Sequence, residues 1–230
     1  MVADVTAPGG SIDVTTTEPG WLRIPDGLSA EQASAWVEAV AGELREAWGE
    51  SWDDRAESMV PAMLADSIEH RPDAHVVLEA WPVVAPARAR LSISIVDRSS
   101  VPEWLPLGFD VMPYEGAAAG PGIVAMRRGA SAPDDDESVP VVEWAATFDD
   151  GERALVAVLD PVPTFFFPYL AAGLHGVVSS IEVTLSDGSP FRAAPSPLAL
   201  VDDDAEWTSL RMRAEGLEPE DERADGEAER

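Results

Sequence analysis

The chain has 230 residues, 46% of them hydrophobic, enough for one substantial core. Its 43 acids against 15 cations give a formal net charge of −28, and every cation is an arginine; such a surface disfavours nucleic acid and anionic membrane and favours a basic protein surface as partner. The absence of cysteine removes disulfides, thiolate chemistry and Cys-based metal sites.

The first twenty residues lack the cationic start and continuous apolar run of a signal peptide, and no apolar stretch approaches the roughly 18 residues needed to span a bilayer, so a cytoplasmic protein is expected. Residues 1–19, rich in Thr, Gly, Asp and Pro, read as a flexible lead-in. A short strand follows in "GWLRIP". Ser29 and Gln32 then form a capping box, and Ala33, Trp36, Val37, Val40, Ala41, Leu44, Ala47 and Trp48 trace one helical face that Gly49 ends. Pro61 argues against an unbroken helix through "SWDDRAESMVPAMLADSIEH"; the expectation is a short helix starting at the proline and ending near His70.

From Ala74 the period becomes two. "HVVLEAW" and "ARLSISIV" predict strands, the second alternating Leu91, Ile93 and Ile95 with Ser92 and Ser94. Residues 101–122, with four prolines, predict an irregular connection holding a short strand near Phe109; "GIVAMRR" is a further strand, and "GASAPDDDES" an exposed loop. "VPVVEWAATFDDGERALVAVL" predicts a hairpin turning at Asp150-Gly151, with Ala146 opposite Leu155, Trp144 opposite Ala157 and Val142 opposite Leu159. In "TFFFPYL", Thr164 is the expected N-cap of a closing helix that tolerates Pro168 in its first turn and buries Phe166 or Phe167, Leu170, Leu174, Val177, Val178 and Ile181. "IEVTL" closes the domain as a strand. Residues 189–230 form an acidic, largely disordered tail, with a short helix at 204–215 whose face carries Trp207, Leu210 and Ala214.

The predicted fold is α+β: one domain at 20–188, its antiparallel sheet packed between an N-terminal helical segment and a C-terminal helix. That order, with "GWLRIP" near the start and "SSIEV" at the close, resembles the PsbP-like superfamily over roughly residues 20–185. The resemblance implies an antiparallel sheet between helices and a binding or accessory role rather than catalysis. Many members are exported or lipid-anchored, but this chain shows neither signal nor lipidation cysteine, so no localisation and no functional residue carries over. The helical segment from Trp52 to His70 departs from the family's compact pattern.

No motif for catalysis stands out. Glu69, His70, Asp73 and His75 match no metal-ligand spacing; His70 at a helix C-terminus is more simply a cation favoured by the helix dipole. His175 falls outside its helix's apolar face. The acidic runs 134–137 and 202–204 lack the pattern of a calcium loop, and neither a phosphate cradle nor a nucleophile elbow is present. No cofactor or metal is implied. Trp81 and Trp104 border proline-rich connections and could line a peptide groove, though covering the core edge is the simpler role, as for Trp21. One helical face can hide only part of the Phe165-Phe166-Phe167 triplet, leaving Phe165 for the surface. Phe165, Trp104, Trp207 and Leu210 are therefore the candidate partner-binding residues. Three functions remain: a non-catalytic binding or accessory protein, an immunity-type neutraliser of a basic partner, and an enzyme with a carboxylate-based site assembled from distant positions.

Overall fold

The computed structural model describes residues 6, 7, 10–15, 20–81, 88–131 and 138–195. Its elements are β1 (Thr6–Ala7), β2 (Gly10–Asp13), β3 (Trp21–Arg23), α1 (Ala30–Trp48), α2 (Asp54–Glu69), β4 (Val76–Ala80), β5 (Ala89–Asp97), β6 (Asp110–Tyr114), β7 (Gly122–Ala130), β8 (Pro140–Asp149), β9 (Arg153–Pro163), α3 (Phe167–Ser179) and β10 (Glu182–Leu185). This is an α+β fold. A seven-stranded antiparallel sheet in the order β3-β4-β5-β9-β8-β7-β6 carries helices on both faces, and a small sheet, β1-β2-β10, lies beside α3 in sequence and shares its core.

On one face the alternating residues of the long strands, among them Leu78, Leu91, Phe148, Leu155 and Leu159, meet Leu170, Leu174, Val177 and Val178 of α3. Ile12, Val183, Leu185 and Phe191 extend this core under the small sheet. Residues 10–13 are thus a strand within the expected lead-in: the β2–β10 ladder satisfies their backbone and buries Ile12. Order also continues past residue 188, because Phe191 is buried and the amides of Ala193 and Ala194 donate to Ala119 and Asp149 carbonyls. The expected helix at 204–215 lies outside the described residues.

On the other face two smaller clusters sit at opposite ends. Val40, Leu44 and Trp48 of α1 pack with Ala56, Val60 and Leu64 of α2 around Trp81 and Leu22. At the far end Trp104 and Phe109 cover Val111, Ile123, Ala125 and Ala145. Between them the strip of β5 and β9 that carries Ser92, Ser94, Val156 and Val158 is only half covered; Val158 is 39% exposed in mid-strand.

The Ser29–Gln32 capping box starts α1 as the sequence predicts, with reciprocal bonds of 3.3 and 2.9 Å. α2 corrects the expectation at Pro61: the helix runs through it from an N-cap at Asp53. An interior proline costs about 3 kcal/mol. Here one buried stripe straddles it, Ala56 and Val60 before and Leu64 and Ser67 after, and that burial opposes the break.

The hairpin register differs from the prediction by two residues: Ala146 pairs with Ala157 and Trp144 with Leu159. The cause is the Asp150 carboxylate, which accepts from the amides of Glu152 and Arg153 at 2.9 and 2.6 Å, while the Asp150 amide donates to the Arg153 carbonyl. The turn therefore centres on Gly151 and Glu152, with Gly151 at φ 97°. A shift of two keeps every inward side chain inward.

Candidate partner-binding surfaces

The junction between β9 and α3 exposes aromatic surface. β9 runs to Pro163, and the Thr164 amide donates to the Pro140 carbonyl at 2.9 Å, so Thr164 extends the ladder instead of capping a helix. The chain then turns, and α3 starts after Phe166 with Pro168 in its first turn. Phe166 is buried and Phe167 packs half-buried on the core, while Phe165 is 71% exposed. Tyr169, four residues on, is 65% exposed. Val139, next to Pro140, is a further exposed apolar residue at this junction. Ser131, just past β7, is bonded to it: the Ser131 amide donates to the Val139 carbonyl at 2.9 Å, and the Val139 amide to the Ser131 hydroxyl at 3.0 Å. Four consecutive acids, Asp134 to Glu137, immediately precede Ser138 in sequence.

Trp104 is placed differently. It is 9% exposed, its indole N–H donates to the Thr147 hydroxyl at 3.3 Å, and its ring meets Phe109 edge-on at 5.1 Å. The indole therefore closes the sheet end, and the cleft beside it, ≈ 20 Å³, has room for about one water molecule. Trp81 is buried beneath the helix pair, and Trp21 packs against the main core. Trp207 and Leu210 lie outside the described residues.

Polar groups concentrate on the face that carries α2. Glu79, fully buried, accepts from Arg90 Nε at 3.0 Å and from the Ser67 hydroxyl at 2.7 Å, and Arg88 bridges Ser67, Asp66 and the Met63 carbonyl. Removed from water, a carboxylate needs such partners in place of the solvent. Across the sheet Arg127 grips Glu143 with bonds of 2.7–3.2 Å and lies 4.6 Å over the Phe109 ring. Asp160 sits between, at the irregularity where β8 and β9 change register, and loss of water raises its carboxyl above the ordinary value although Arg90 and Arg88 pull it down. Of these groups, Glu79, Arg88 and Arg90 pair with Ser67 and Asp66 or with one another and fasten α2 to the sheet, while Arg127 and Glu143 pair across β7 and β8.

A second polar knot joins β6 to α3. The Tyr114 hydroxyl lies 2.8 Å from His175 Nδ1 and 3.0 Å from the Ser179 hydroxyl, and burial raises its pKa, with the Ser179 bond opposing. A phenol so held is neutral and serves as a strut. His70 Nδ1 is 2.9 Å from Asp66, and His75 accepts from the Ile95 amide. Among the described residues no group of three or more acids and histidines is placed to hold a metal ion, and no described helix is long and apolar enough to cross a membrane.

A larger concavity lies between α1 and α2. It is an open trough of ≈ 790 Å³ that includes Val37, Ala41, Trp52, Pro61, Ala65 and Ile68. Sequence reasoning missed it, although two residues signal it. Gly42 and Pro61 each weaken a helix interior, and both line this trough. Tyr169 was missed as well, since its exposure depends on where α3 starts.

No protein-family model, no curated protein and no solved structure matches this chain.

Proposed function

We propose that the chain is a non-catalytic binding or accessory protein that engages a basic protein partner through the β9–α3 junction. The observation that carries this reading is the exposure of Phe165 and Tyr169, two large aromatic side chains held out by a rigid strand end and a helix start. Aromatic anchors on a firm backbone lose little conformational freedom on binding and are enriched among the residues that dominate interfaces. The excess of acid across the chain, including the run Asp134 to Glu137, supports steering toward a basic surface. The PsbP-like resemblance supports the same class at the level of element order alone.

The test is affinity capture from the cells that make the protein, comparing the wild type with Phe165→Ser/Tyr169→Ser. The expected result is a basic protein recovered by the wild type, released by raised salt, and recovered at least tenfold less by the variant. Identical recovery by both would overturn the reading.

A further inference from the structure

The trough between α1 and α2 is walled by two stripes at helical spacing, Ala33, Val37 and Ala41 from α1 and Pro61, Ala65 and Ile68 from α2. Its α1 wall runs from Ala33 to Arg45, about 18 Å at roughly 1.5 Å per residue, or a little over three helical turns. The floor is apolar and shallow because its side chains are short. Gly42 faces open space: a Cβ placed there would meet nothing within 4 Å. Both residues that weaken these helices, Gly42 and Pro61, line the trough. The rim is acidic. Glu38 and Glu69 stand along it, while its one cation, Arg45, is paired with Glu57, which also accepts from the Trp52 indole at 2.6 Å.

We infer that this trough receives an amphipathic helix of about three turns, apolar on one face and flanked by lysine or arginine, from a basic protein partner. The floor accepts the apolar ridge of a helix as grooves do in helix-in-groove recognition, and the glutamates meet the basic flanks. A second copy of this chain fits badly, because it would bring a charge of −28 against another −28; the segment 201–230, with 12 acids and 4 arginines, meets the same repulsion. The inference rests on reading the chain as a protein-binding module, but places this contact on a different surface from Phe165 and Tyr169.

The test uses the full chain and a labelled 18-residue peptide of leucine and lysine with leucines at i, i+3, i+4 and i+7 spacing. A peptide of equal composition with strictly alternating leucine and lysine is the control, because it keeps the charge and loses the helical face. The helical-pattern peptide is expected to bind at least tenfold tighter than the control by fluorescence anisotropy at 150 mM salt. Gly42→Phe, and independently Ala65→Phe from the opposite wall, should weaken it at least tenfold with Tm unchanged, whereas Phe165→Ser/Tyr169→Ser should leave it unchanged. Equal affinity for the two peptides, or binding that survives both wall variants, overturns the proposal. Loss confined to Phe165→Ser/Tyr169→Ser overturns it while leaving the junction as the binding surface. A dimer of the wild type that Gly42→Phe dissociates, seen by sedimentation, overturns it in favour of self-association. Binding that rises at least tenfold when residues 196–230 are deleted overturns it in favour of the chain's own tail as occupant.

Discussion

The helices on the two faces of the main sheet are held in different ways. α3 buries Leu170, Leu174, Val177 and Val178 in the continuous core of the sheet, so its attachment is mainly apolar, with the neutral Tyr114–His175–Ser179 bonds beside it and no ion pair among the described residues. α1 and α2 share a smaller cluster around Trp81, and α2 is fastened to the strands by charge: Glu79 with Arg90 and Ser67, and Arg88 with Asp66. The hydrophobic effect is non-directional, whereas hydrogen-bonded ion pairs are satisfied in one geometry. The α3 side thus supplies stability, and the α1–α2 side supplies a fixed surface that keeps an open trough.

Glu79→Ala is the sharpest way to break this contrast. It removes the carboxylate that Arg90 and the Ser67 hydroxyl share, leaving Arg90 with the His70 carbonyl at 3.1 Å, and should cost about 3–5 kcal/mol in urea unfolding; a loss under about 1 kcal/mol would mean that α2 does not depend on the pair. Leu174→Ala should cost about 2–5 kcal/mol, while Val37→Ala in the trough, half-exposed, should cost less than about 1 kcal/mol. Equal losses would erase the distinction between the two layers.

Asp150→Ala should cost about 1 kcal/mol through the turn. Burial raises the Asp150 carboxyl, but the Arg153 and Glu152 amides and the Arg153 charge outweigh it and leave the pKa lowered. A lowered folded-state pKa gives stability that is full above the unfolded value and lost as pH falls through the folded one. The difference between wild type and Asp150→Ala should therefore be largest near neutral pH and shrink below about pH 4; a difference that grows in acid would refute the assignment. The smallest effect expected is a gain: Gly42→Ala should stabilise by about 0.5–1 kcal/mol, because the helix interior prefers alanine and the added methyl meets open space. A loss would show that the trough is closed in solution.

What could be read from sequence followed the range of the interactions. The α1 cap was legible because Ser29 and Gln32 are three residues apart and satisfy each other. The strands were legible from alternation. The hairpin was legible, but its register was not, because a side-chain carboxylate rather than the backbone shapes the turn. α2 could not be followed through Pro61 without knowing that sheet and α1 would bury both halves of its stripe. The strand at 10–13 was hidden because its partner, β10, lies some 170 residues away. Of the surface, Phe165 was legible from helix geometry alone. Trp104, a candidate for a partner surface, takes the simpler of the two roles its sequence context allowed, packing on Phe109 and bonding Thr147 at the sheet end.

The central claim, that the side chains of Phe165 and Tyr169 serve a partner and add nothing to the stability of the fold, is tested most directly by Phe165→Ser/Tyr169→Ser. Capture and thermal unfolding should be measured on one preparation. The prediction is at least a tenfold loss of a basic partner with Tm unchanged. A lowered Tm, or a partner set identical to that of the wild type, would contradict it.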